Sequence, residues 1–209
     1  MNLQKLFEAQ AELDAYIEQQ HPTQEGENRL EKKVLALLVE LGECANEWRG
    51  FKFWSNDQEP NTFVPNPKDV CLKCSGTGML DEEKEFIERR FCDDCDGCGN
   101  HYHNALLEEF VDCLHFILSI GNDLHFDYEE FLKRQAAMAG DINLLFIDVM
   151  ASTTEIILHY RTDFARYSLY ATLRRFLKIG RKLGFTEEQI EEAYWKKYEI
   201  NKQRQRDGY

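Results

Sequence analysis

VLALLVELGECANEWRGFKFW, residues 34–54, is the stretch whose reading decides the fold. Leu37, Leu38, Leu41, Ala45 and Trp48 recur at helical spacing, which predicts one amphipathic helix through most of it. Set into that helix are Glu40 and Glu43, three residues apart and therefore neighbours on one face. Two carboxylates held that close beside an apolar stripe repel each other, and a divalent cation is the usual reason for a fold to keep them there. A lone glutamate on a helix is most often part of a solvated face; the bracketing leucines set this pair apart. Gly42 costs up to about 1 kcal/mol relative to alanine in a helix interior. It admits either a close-approaching group or a tightly packed neighbouring helix.

A second acidic pair answers the first. Glu109 and Asp112 lie in LLEEFVDCLHFILSIGNDL, residues 106–124, another strongly apolar helical segment. Glu108 reads as the solvated neighbour of Glu109. Two helices that each carry an acidic pair at this spacing can face one another and build an oxygen cage, and hard oxygen ligands favour Mg²⁺ over Zn²⁺.

The remaining chain bounds the answer. Its 209 residues suffice for one domain with a small insert, and 43% hydrophobic with 30% charged residues is a globular composition. A net charge of −13 argues against nucleic acid or an anionic membrane as the main partner. A phosphorylated small molecule stays open, because bound metal ions reverse the local sign. The opening MNLQKLFEAQAELD reads as an amphipathic helix with no signal-peptide core, and no apolar run approaches a membrane span. A cytoplasmic location is the expectation.

Between Ser55 and His103 the character changes, with three of the four prolines and five of the seven cysteines. Cys71 and Cys74 form one Cys-x-x-Cys knuckle, and CDDCDGCG supplies Cys92, Cys95 and Cys98. Two knuckles joined by a polar linker are a zinc-ribbon arrangement, in which four thiolates close a structural tetrahedral Zn²⁺ site. Cys71, Cys74, Cys92 and Cys95 are the expected ligands, with Cys98 a rival for the last place. Free thiols in a mobile loop are the plainer alternative.

Helical patterns cover residues 2–19, 28–48, 105–122, 129–139, 143–160 and 164–183, and no stretch carries a hairpin signal. Thr186 with Gln189 predicts a capping box opening a last helix. Near its end Lys196, Lys197, Lys202, Arg204 and Arg206 crowd together, either a solvated basic tail or a clamp for phosphate oxygens. The expectation is an all-α helical bundle over residues 1–209, interrupted by a zinc-binding insert at about 66–103.

Three segments, ELGECANEWRGFKFW, LLEEFVDCLHFILSIG and KYEINKQRQRDGY, together resemble the dimeric all-α dUTPases of phages, some bacteria and trypanosomatids, within the MazG-like nucleoside triphosphate pyrophosphohydrolases. The resemblance covers the first 55 residues and everything from about Ala105 onward. It implies hydrolysis of dUTP to dUMP and pyrophosphate in the all-α pyrophosphohydrolase fold. It also implies Mg²⁺ on Glu40, Glu43, Glu109 and Asp112, with Glu43 orienting the attacking water at the α-phosphate. Lys197, Asn201, Arg204 and Tyr209 would meet the phosphates or metal. Lys52 and Trp54 resemble the family's basic and aromatic elements, although Phe53 can equally supply the ring. Gln10 is the natural base reader, while Asp14 stands where an asparagine is expected. The two acidic motifs lie further apart than in the wider group, and deleting roughly residues 66–100 restores a short connection.

Two other readings compete. One is a pyrophosphohydrolase for a different nucleotide such as dCTP. The other is a regulatory or interaction protein that works through the zinc ribbon. A homodimer is expected, both from the resemblance and from the apolar richness between Asn143 and Leu183, which ordinary core packing also explains.

Overall fold

The computed structural model describes residues 1–81, 84–133 and 140–208. Its long helices are α1 (Leu3–Gln20), α2 (Arg29–Trp48), α3 (Ala105–Asp123), α5 (Ile142–Leu158), α6 (Asp163–Lys182) and α7 (Glu187–Arg206), with the short α4 (Tyr128–Lys133) between α3 and α5. The sequence announces where each long one starts. Asn2, Asn28, Asn104, Asp141, Thr162 and Thr186 each accept a backbone N–H of the first turn through the side chain, satisfying donors that the helix itself cannot. At Thr186 the capping box with Gln189 is complete. The predicted helix over 129–139 is present as α4, and its second half lies outside the described residues.

α3 is the central element. It packs along α2 and also touches α1, α6 and α7, while α5 pairs with α6 and leans on α2. Leu37 and Leu41 of α2, Leu106, Phe110, Leu114 and Ile117 of α3, Phe176 of α6 and Tyr194 of α7 are fully buried in one core. Burial of side chains this size contributes roughly 1.5–3 kcal/mol each. At Gly180 α6 comes close to α3, where an added Cβ would stand 2.6 Å from the Phe110 ring. Gly42, by contrast, faces open space, and no helix among the described residues packs against it.

Between α2 and α3 lies the insert. Its stem pairs β1 (Val64–Val70) antiparallel with β4 (Asn100–His103), and its tip pairs β2 (Met79–Leu80) with β3 (Arg90–Phe91). The absence of a hairpin signal in the sequence did not exclude these ribbons. β1 is mostly exposed on both faces and carries Pro65 and Pro67, so no buried side imposes alternation on it. No helix among the described residues is long and apolar enough to cross a membrane.

Candidate active site

α2 and α3 bring the two acidic motifs face to face. Carboxylate oxygens of Glu40, Glu43 and Glu109 lie within 4.8 Å of one another. Glu43 is exposed, and Glu40 and Glu109 are half-buried. Burial, reinforced by the charges of Asp112 and Glu43, raises the Glu40 carboxyl to about 7. Burial followed by Asp112, Glu40 and Glu43 does the same to Glu109, also to about 7. Three carboxylates from two helices thus repel one another in a place that a hard cation fits.

Asp112 stands beside this group in an ion pair. Lys197 of α7 places its Nζ 2.5 Å from Asp112 Oδ2 and 3.6 Å from Glu108 Oε1. Burial raises the Asp112 carboxyl, while the lysine opposes that shift. Glu108 is therefore no plain solvated neighbour of Glu109, since it also accepts from His103 Nδ1 at 3.0 Å.

A cleft of about 440 Å³ opens from Glu40, Asp112 and Lys197 toward Gln10, Asp14, His115 and Ser119. Asn201 and Arg204 line it as well. The polar end is tightly specified. Gln10 Nε2 donates to Asp14 Oδ1 at 2.8 Å, which leaves Gln10 Oε1 to accept from Tyr194 at 3.1 Å and from His115 Nδ1 at 2.7 Å. Ser119 donates to the other Asp14 oxygen at 2.7 Å. Burial, and secondarily Lys197, depress the His115 pKa to about 3. The imidazole is therefore neutral with its proton on Nδ1. Its Nε2, an acceptor, is buried without a hydrogen-bond partner among the described residues, in a residue that lines the cleft.

Other expected residues fall elsewhere. Lys52 donates to Asn46 Oδ1 at 2.6 Å, while Trp54 and Phe53 are 66% and 85% exposed beside Phe51; none of the three lines the cleft. Tyr209 lies outside the described residues. His115 and Ser119 went unnoticed in the sequence, although they follow Asp112 at positions three and seven residues on, one face of α3.

In the insert, Cys71, Cys74, Cys92 and Cys95 are all buried, with sulfurs mutually within 4.8 Å. Thiolates about 2.3 Å from a tetrahedral zinc ion stand about 3.8 Å apart. The Cys71–Cys92 and Cys74–Cys95 sulfurs are 3.8 and 3.7 Å apart. The two knuckles are near copies. Gly78 N–H donates to Cys74 Sγ and Gly99 N–H to Cys95 Sγ, each at 3.2 Å. Both glycines have positive φ, and an added Cβ would meet the carbonyl of Gly97 or Gly76 at 2.1 or 2.3 Å. Burial opposes ionisation of Cys74, yet the Gly78 N–H and neighbouring thiols bring its pKa down to about 7. Cys98 is not in the cluster and donates to Asn100 O instead. The repeat Cys-x-x-Cys-x-Gly-x-Gly, at 71–78 and 92–99, singles out Cys95 over Cys98 in the sequence itself.

A family model described as dUTPase matches residues 2–64 and 99–209. The residues between, which include the four clustered cysteines, fall outside the match. No curated protein matches the chain.

Proposed function

Because the chain belongs to the dUTPase family, and so hydrolyses dUTP to dUMP and pyrophosphate, we propose that Glu40, Glu43, Glu109 and Asp112 hold Mg²⁺ for that reaction. The observation that carries this reading is the gathering of Glu40, Glu43 and Glu109 from α2 and α3, with Glu40 and Asp112 lining a cleft that runs on to Gln10, Asp14 and His115. When bound, Mg²⁺ supplies charge neutralisation for the triphosphate oxygens. Glu43, the exposed member, orients the water whose oxygen bonds to the α-phosphorus as the bond to the leaving pyrophosphate breaks. Lys197, Asn201 and Arg204 bind phosphate oxygens, and we place Tyr209, Lys52 and Trp54 with them on the strength of the resemblance alone. The base sits among Gln10, Asp14 and His115. A small opening of the cleft wall would bring the buried lone pair of His115 Nε2 to a uracil N3–H, which cytosine lacks at that position. A site that leaves a buried acceptor unpaired discriminates strongly against the wrong base.

We further propose that Zn²⁺ closes the Cys71, Cys74, Cys92 and Cys95 site as a structural ion. Residues 1–209 form one catalytic domain carrying that insert. Large apolar side chains exposed on α2 and on its neighbour α5, namely Leu35, Val39, Leu144 and Ile147, support a homodimer, which light scattering tests. Seven cysteines, none of them in a disulfide, suit the reducing cytoplasm.

Pyrophosphate release with Mg²⁺ across dUTP, dCTP, dTTP and dATP tests the site reading. A strong preference for dUTP is expected, and His115→Ala should reduce the preference over dCTP about tenfold. Equal turnover of dCTP would retain the carboxylates and remove the proposed base contact. No turnover of any nucleotide would move attention to the ribbon as a working surface.

A further inference from the structure

We infer that Glu108 is a positioning residue for Lys197, and that through His103 the stem of the insert sets where Lys197 stands at the substrate cleft. This rests on the reading of the carboxylate cluster given above. β4 ends at His103, whose Nδ1 donates to Glu108 Oε2 at 3.0 Å. The other oxygen of Glu108 is 3.6 Å from Lys197 Nζ, and that Nζ is 2.5 Å from Asp112 Oδ2. Four side chains therefore run without a break from the insert to the metal carboxylates.

Lys197 is 8% exposed, and a buried ammonium needs its counter-charges. It has two, and they are not equivalent. Asp112 stands beside the carboxylate cluster and is one of the proposed Mg²⁺ ligands, so a cation bound there would compete with the lysine for its charge. Glu108 has no such competing duty, and its second oxygen is already fixed by His103. It remains as the anchor that keeps the ammonium in place. That place matters because Lys197 and Arg204 line both the substrate cleft and a second cleft of about 500 Å³ between the stem, α3 and α7. Glu108 touches no substrate in this account. It acts by holding Lys197 on the wall where phosphate oxygens arrive.

Calorimetric binding of the non-hydrolysable α,β-imido analogue of dUTP with Mg²⁺, beside KM and kcat for dUTP, tests the chain of contacts. Glu108→Gln should weaken analogue binding and raise KM about tenfold, with kcat changed far less. His103→Ala should move both in the same direction by a smaller factor, and should add nothing in the Glu108→Gln background, because the link is already cut. Both positions are partly exposed, and helical circular dichroism checks that the variants fold. Unchanged or tighter analogue binding by Glu108→Gln, or additive effects of the two substitutions, would overturn the inference. Full turnover by Glu109→Gln would instead bring down the reading on which it rests.

Discussion

The acidic cluster and the cysteine ribbon of this molecule are built on opposite terms. The acidic cluster is an imposition on a core that stands without it: Leu37, Leu41, Leu106, Phe110 and Leu114 bury the α2–α3 contact whatever the carboxylates do. Among its described residues the ribbon shows no such core. Their buried cluster is Cys71, Cys74, Cys92 and Cys95, with Leu80 and Cys98 packed against it, while Leu72, Ile87 and Phe91 face solvent. In one region the fold holds repelling carboxylates that the proposed Mg²⁺ would relieve. In the other the proposed Zn²⁺ would take the place of hydrophobic burial.

Removing the ribbon metal is the harshest way to test that contrast. Cys71→Ser with Cys74→Ser should abolish zinc binding and the amide-exchange protection of residues 71–99, since structural zinc carries on the order of 10 kcal/mol of local folding energy. Helical circular dichroism should be retained. Collapse of the helices together with the ribbon would erase the distinction between the two regions.

The acidic cluster should answer to pH in the opposite sense from an ordinary ion-paired carboxylate. Burial and mutual repulsion raise Glu40 and Glu109 to about 7 in the folded protein, above the ordinary glutamate value of 4.5. Between those values the folded state binds more protons than the unfolded one, so metal-free stability falls as pH rises from about 4.5 to about 7. Both groups are half solvated, so about 1 kcal/mol each is the expected scale once screening is discounted. Thermal melts without metal should decline across that window, Mg²⁺ should restore the loss above it, and Glu40→Gln should flatten the slope. A melting temperature that rises with pH through the window would contradict the repulsion described here.

The smallest effect belongs to the cap of the helix that carries Glu109 and Asp112. Asn104→Ala removes the acceptor for Leu107 N–H and should cost about 1 kcal/mol in urea denaturation, with zinc content unchanged. Loss of zinc in that variant would mean that the ribbon and α3 fold as one unit.

How far the residues alone led follows the same division. Helix boundaries were readable because each long helix begins at Asn, Asp or Thr and follows a regular apolar period. The pairing of Glu40 and Glu43 with Glu109 followed from spacing within two apolar helices. What escaped depends on side chains distant in sequence. Gln10 and His115 meet 105 residues apart, and Glu108 acquires its role from Lys197 of α7 and His103 of β4, neither visible in the local pattern. The small strands escaped because exposed ribbons carry no burial signal. Lys52 and Trp54 were placed by analogy with the family, and in this structure they stand away from the cleft.

The most direct test of the account is dUTP hydrolysis by Glu109→Gln at saturating Mg²⁺, with the metal-free melting temperature measured beside it. Turnover should fall by about a hundred- to a thousandfold, the range for loss of a group that stabilises transition-state charge, with a melting temperature unchanged or raised because a repulsion is gone. Turnover equal to the unsubstituted protein would show that the carboxylates on α2 and α3 do not carry the reaction.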